Sequence, residues 1–182
     1  MTDMIRILFA CHDNVALSPM AAQIFSHILR KKKISSHFKV DSAAVSEDAK
    51  VGIPMPDGAK SILARAGVDS GLHTSVKLDA SVADKFDWIV CMTGMDRRKC
   101  FDIFKGNAVY VTPKDVRRVF KTDPASPISL DGSIKPRVCC LMDFTGFSRD
   151  LIDPEKTGDY RMAFNELSSG CSSIISLTSF GL

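Results

Sequence analysis

Apolar residues in this chain fall into short dense runs separated by stretches where they recur every three or four positions, so strands and helices are expected to alternate. Ile5-Arg6-Ile7-Leu8-Phe9-Ala10 has the length and the β-branched and aromatic content of a strand. Pro19 marks the expected start of a helix, because the first turn needs no N–H from that residue. Beyond it Met20, Ile24 and Ile28, and Ala21, Phe25 and Leu29, recur at i+4 on adjoining faces. The run Arg30-Lys31-Lys32-Lys33 then reads as a solvated helix end whose cations complement the negative pole of the dipole.

The same rhythm continues. Residues 38–42 make a second strand candidate, and 57–66 a helix closed by Gly67. Residues 86–92 are nearly continuous in apolar side chains, as in a strand buried on both faces. A helix over 96–104, a fourth strand over 138–142 and a closing helix over 158–177, carrying Met162, Leu167 and Ile174, complete the pattern. The expected fold is α/β: a three-layer sandwich around a central, mainly parallel four-stranded sheet. Residues 107–137 break the rhythm with Pro113, Pro124, Pro127, Pro136 and Gly132, and read as an insertion.

Composition narrows the class. With 182 residues, 45% hydrophobic and 25% charged, residues 1–182 read as a single domain. A chain of this length can bury roughly 70% of its unfolded surface without disulfides or metal. Its 24 Lys+Arg against 21 Asp+Glu, net +3, point to no nucleic-acid or membrane partner. Met1-Thr2-Asp3-Met4-Ile5-Arg6 does not read as a signal peptide, and no stretch reaches the length of a membrane span. The six cysteines, at 11, 91, 100, 139, 140 and 171, form no CxxC and no metal spacing. They suit a reducing compartment, and a cytoplasmic location is expected. No cofactor or metal is called for.

The chemistry centres on the loop between the first strand and first helix. Backbone N–H groups and the helix dipole converge there, making an anion site and favouring thiolate for a cysteine at its start. Cys11 is therefore a candidate nucleophile for phosphoryl transfer, with His12, Asp13, Asn14, Val15, Ala16, Leu17 and Ser18 around the phosphate. Taken alone, a cysteine at a strand end is more often a small buried hydrophobe.

Cys11-His12-Asp13-Asn14-Val15-Ala16-Leu17-Ser18-Pro19-Met20-Ala21 resembles the phosphate loop of low-molecular-weight protein tyrosine phosphatases, C-x-G-N-x-C-R-S-P-x-A. The resemblance extends through Val40-Asp41-Ser42-Ala43-Ala44, Gly52-Ile53-Pro54, His73-Thr74-Ser75, the run 86–92, and Leu141-Met142-Asp143-Phe144 with Ile152-Asp153-Pro154 and Gly158-Asp159-Tyr160. It implies the fold of that family. It also implies that Cys11 attacks phosphorus, that Asp153 protonates the leaving group and then activates water, and that Asn14, Ser18, Ser42 and His73 support the loop. A second Asp-Pro, Asp123-Pro124, lies in the insertion. Asp153 is preferred for its position between the fourth strand and the last helix, although either pair could be only a turn.

Several departures bear on activity. Leu17 stands at the family's arginine position, removing a contact worth about 10³ to 10⁵ in rate, or roughly 4 to 7 kcal/mol. Asp13 replaces a glycine, bringing a carboxylate to an anion site and with it an expectation of backbone strain. Glu155 and Lys156 follow the acid where aromatic residues are common, residues 46–49 lack the family's tryptophan, and Ala16 replaces its second loop cysteine. The leading expectation is a family protein acting on phosphomonoesters through a phosphocysteine, with very weak or lost activity. The alternative is an impaired pseudophosphatase serving as a binding or regulatory module, and arsenate reduction ranks lower. A phosphorylated protein, a small phosphate or another oxyanion is the expected ligand, and a protein partner is admitted. A third reading makes the insertion, with Lys114, Arg117, Arg118 and Lys121, a surface for an acidic partner.

Overall fold

A computed structural model describes residues 4–125 and 135–180. Five strands form one sheet: β1 (Ile5–Cys11), β2 (Phe38–Ala44), β3 (Trp88–Cys91), β4 (Val109–Tyr110) and β5 (Arg137–Cys140). Their order is β2-β1-β3-β5-β4 and every pairing is parallel. The helices are α1 (Leu17–Lys31), α2 (Asp57–Arg65), α3 (Gly94–Phe104), α4 (Val116–Thr122), α5 (Pro154–Thr157) and α6 (Tyr160–Ser176).

Strand periodicity divides the core. Ile5, Ile7, Phe9 and Cys11 face one layer, where α1, α2 and α6 pack, while Leu8 and Ala10 face the other, where α3 packs. On β3, Trp88 and Val90 belong to the first layer and Ile89 and Cys91 to the second. Aromatic contacts fasten the first layer: Phe25 meets Phe9 edge-on at 5.6 Å and Phe38 at 5.5 Å.

Several expectations change. The sheet has five strands, because Val109 and Tyr110 inside the proline-rich stretch add β4 to the edge beside β5. A two-residue strand has no periodicity to read and is fixed only by its neighbour. The same stretch supplies α4, whose buried Phe120 packs on Trp88 at 5.2 Å, so residues 107–125 are woven into the fold. Pro127 and Gly132 lie outside the described residues. Helix α1 starts at Leu17, two residues before the expected Pro19, which still occupies the first turn. Of the expected fourth strand over 138–142, residues 141 and 142 belong instead to a 3₁₀ turn over 141–145.

In such a sheet the chain leaves β1 in one direction for β2 and later returns on its other side to β3. The loops following β1 and β3 therefore part and leave a crevice at their carboxyl ends. Cys11 ends β1 at that crevice. No helix among the described residues is long and apolar enough to cross a membrane.

Candidate active site

The loop from Cys11 to Ser18 turns on Asn14, whose φ of +59° is the loop's one left-handed position among non-glycine residues. Asparagine tolerates that conformation when its amide is anchored locally. Here Nδ2 donates to Ser18 Oγ and to Ser42 Oγ, both at 2.9 Å, and Oδ1 accepts from Val76 N–H at 2.9 Å. His73 Nε2 donates to the Asn14 carbonyl at 2.8 Å. The structure thus brings together Asn14 and Ser18 of the loop with Ser42 and His73 from two other segments. Asp13 does not have a positive φ, so the expected strain is absent. Its Oδ1 instead accepts Val15 N–H at 3.1 Å in an ordinary local turn.

Cys11 is 4% exposed. Its sulfur lies 3.0 Å from Ser18 Oγ and accepts Asn14 N–H at 3.3 Å, and the thiol points to Asp13 Oδ1 at 3.8 Å. Burial pushes the thiol up to about 12; the bonds from Ser18 and Asn14 oppose this and the Asp13 carboxylate adds to it. The expected drop toward thiolate is therefore reversed. Desolvation disfavours the charged sulfur, and no cationic side chain is among the groups that shift it.

A cavity of about 430 Å³ opens beside the sulfur, lined by Cys11, His12, Asp13, Ala16 and Leu17 from the loop, with Thr93, Met95 and Asp96 after β3, and Leu151, Asp153 and Lys156. Leu17 is 6% exposed and joins the apolar core with Met20 and Ala21. Asp153 caps α5, accepting Glu155 N–H at 3.0 Å, and faces the same cavity as Cys11. Asp123, the other Asp-Pro aspartate, is paired with Arg137 at 2.5 Å and borders a different pocket.

Thr93, Met95, Asp96 and Leu151 were not singled out by the sequence. Thr93-Gly94-Met95-Asp96 did carry a signal, a helix-capping pattern directly after an apolar strand. Thr93 Oγ1 accepts Asp96 N–H at 3.1 Å and donates to Asp96 Oδ2 at 2.8 Å. Only the parallel pairing of β1 and β3 shows that this cap adjoins Cys11. Burial raises the Asp96 carboxyl above its ordinary value, opposed by the Thr93 bonds and, more weakly, by His12 and Lys99.

In an open parallel α/β sheet ligands bind in the crevice at the carboxyl ends of the strands, and the Cys11 loop lies there. Residues 6–116 match the family model described as low molecular weight phosphotyrosine protein phosphatase, and the chain belongs to that family. It is 34% identical over 89 residues to the low molecular weight protein-tyrosine-phosphatase YfkJ of Bacillus subtilis, covering 49% of this chain and 56% of that protein. The human low molecular weight phosphotyrosine protein phosphatase is 31% identical over 86 residues, 47% of this chain and 53% of its own length. These matches span about half the length of the curated relatives. In fold, the crystal structure of YfkJ superposes with a TM-score of 0.74 over 96% of this chain and 94% of its own, at 24% identity. The Streptococcus pyogenes enzyme SP-PTP gives 0.68 over 95% and 92%, at 20% identity.

Proposed function

We propose that residues 1–182 form a single domain of this family in which phosphomonoester hydrolysis is lost or nearly so, and which acts by binding. The observation that carries this reading is the inverted charge of the cavity. Leu17 is folded into the core at the arginine position, and Asp13, Asp96 and Asp153 face the space with Lys156 as the only lysine or arginine among its lining residues. A phosphate dianion there would meet carboxylates, and the Val15 N–H, a donor of the kind an oxyanion needs, is already taken by Asp13. Burial raises the Cys11 thiol and so disfavours the thiolate that would attack phosphorus.

Trace hydrolysis through a phosphocysteine is the second reading, favoured by Cys11 and Asp153 lining one cavity. In it Cys11 attacks phosphorus and Asp153 donates a proton to the leaving oxygen, then takes one from water. A phosphorylated protein or a small aryl phosphate would be the substrate. The deciding experiment is aryl phosphate hydrolysis by the native chain beside Cys11→Ser. Equal rates are expected, and a native rate well above that of Cys11→Ser would instead establish a working phosphatase.

A further inference from the structure

Cys91 closes β3 and Cys100 lies on α3, and their sulfurs stand 3.5 Å apart as free thiols. All six cysteines are among the described residues, and no other two of them share a hydrogen bond there. Both side chains are 0% exposed and belong to the apolar layer between the sheet and α3, with Ile89, Phe104 and Val138. A thiol is a weak donor and a weak acceptor, so the packing of α3 on β3, more than the S–H contact itself, sets this separation. A disulfide bond is about 2.05 Å long, so closure needs an approach of about 1.5 Å, within reach of side-chain rotation at the two residues.

The chain between the two cysteines carries Thr93, Met95 and Asp96, three of the residues that line the cavity beside Cys11. Hydrogen bonds hold the first turn of α3 there: Thr93 caps it through Asp96, and Asp150 Oδ1 accepts Gly94 N–H at 2.7 Å. Beyond that turn, noncovalent packing seats Cys100 against β3. A bond from Cys91 to Cys100 would close a short loop around these lining residues and tie the helix to the strand end.

From this buried sulfur pair, we propose that Cys91 and Cys100 form a reversible oxidation site, which a hydroperoxide converts to a disulfide that staples α3 to β3 and fixes this wall of the cavity. One sulfur attacks a peroxide oxygen, the O–O bond breaks, and water leaves behind a sulfenic acid. The second sulfur attacks the first, the S–S bond forms, and the S–O bond breaks to release a second water. Two thiols thereby lose two electrons and two protons, and one hydrogen peroxide becomes two waters. Neither sulfur is exposed, so the oxidant must be about as small as water, and a bulky disulfide such as oxidised glutathione is excluded. Burial pushes the Cys91 thiol up, and Cys100 and Asp96 of α3 with Cys140 of β5 add to this, so the reaction is slow. The reaction needs neither Cys11 nor any guest in the cavity.

The test is treatment of the full native chain with hydrogen peroxide, then blocking of the remaining thiols and tryptic mapping without reduction. Arg97, Arg98 and Lys99 place cleavage sites between the two cysteines, so peptides 86–97 and 100–105 separate unless a disulfide joins them. The joined pair is expected after peroxide, lost again with dithiothreitol, and absent after oxidised glutathione. The oxidised chain should melt about 5 °C or more above the reduced one, and Cys100→Ala should abolish both the link and the rise. Should Cys100→Ala fail to fold, mapping and melting of the native chain decide alone. Thiols left intact or carried on to sulfonic acids without a link, a link from Cys91 to another cysteine, the same link formed by oxidised glutathione, or an unchanged Tm would overturn the proposal.

Discussion

Behind the loop of residues 11–18, polar groups answer one another: the Asn14 amide holds Ser18, Ser42 and the Val76 N–H, and His73 holds the Asn14 carbonyl. In front of it, Leu17 lines the cavity, Asp13 turns a carboxylate toward the sulfur, and Asp96 and Asp153 face the same space. The back is a closed set of hydrogen bonds, and the front is a cavity lined by carboxylates and apolar side chains. The network that shapes an anion site is thus separable from the charges that fill it: the first is local hydrogen bonding, which stabilises the fold whatever occupies the cavity, while the second contributes only when an anion is bound.

If that separation holds, the largest effect comes from restoring the front alone. Asp13→Gly with Leu17→Arg is expected to raise Cys11-dependent aryl phosphate hydrolysis by about 10³ or more, because the missing arginine is worth that much in phosphoryl transfer. A double variant that folds and remains as silent as Cys11→Ser would show that the back is not an intact scaffold. Breaking the back should instead cost stability. Asn14→Ala removes three side-chain hydrogen bonds and places a Cβ residue without a local anchor at φ +59°. The expected loss is about 3 to 5 kcal/mol, read as a fall in Tm of roughly 10 °C or more. A melting temperature unchanged in that variant would mean the network is incidental.

Cysteine reactivity sharpens the boundary between the two sides. At neutral pH Cys11 should alkylate slowly, and the double variant should react at least about tenfold faster, since it removes a carboxylate that raises the thiol pKa and adds a cation that lowers it. Mass spectrometry of the modified peptide over time measures this, and equal rates would assign the inertness to burial alone. The smallest effect is on pH. Cys11 is raised from 9.0 to about 12 in the folded chain, and Cys91, Cys139, Cys140 and Cys171 move in the same direction through burial. The unfolded chain gives up these protons first, so stability is full below pH 9 and falls as pH rises beyond it. Denaturant midpoints compared at pH 7 and pH 10 check the sign.

Most of the fold was legible because each long element carries its own periodicity: Ile5 to Cys11 alternates between two cores, and the helix through Met20, Ile24 and Phe25 shows one apolar face. Strand β4 was not legible, since two residues have no period and owe their conformation to β5. The loop and its supports were legible as residue types in a spaced motif. Asp96 was not, because its own neighbours explain it as part of a helix cap, and only the fold places it on the cavity wall.

The sequence by itself determined the alternation of strands and helices, the loop with Cys11 and Asn14, and the presence of Leu17 rather than a charged residue in that loop, since each is a matter of local pattern or of identity at one position. The tertiary structure decided the burial of Cys11, which raises its thiol, and which charged side chains line the cavity. Burial is a property of all the elements packed around an atom, and the charge of a cavity is summed over residues as far apart in the chain as Asp13, Asp96 and Asp153, which only the parallel sheet and its crossovers bring to one place.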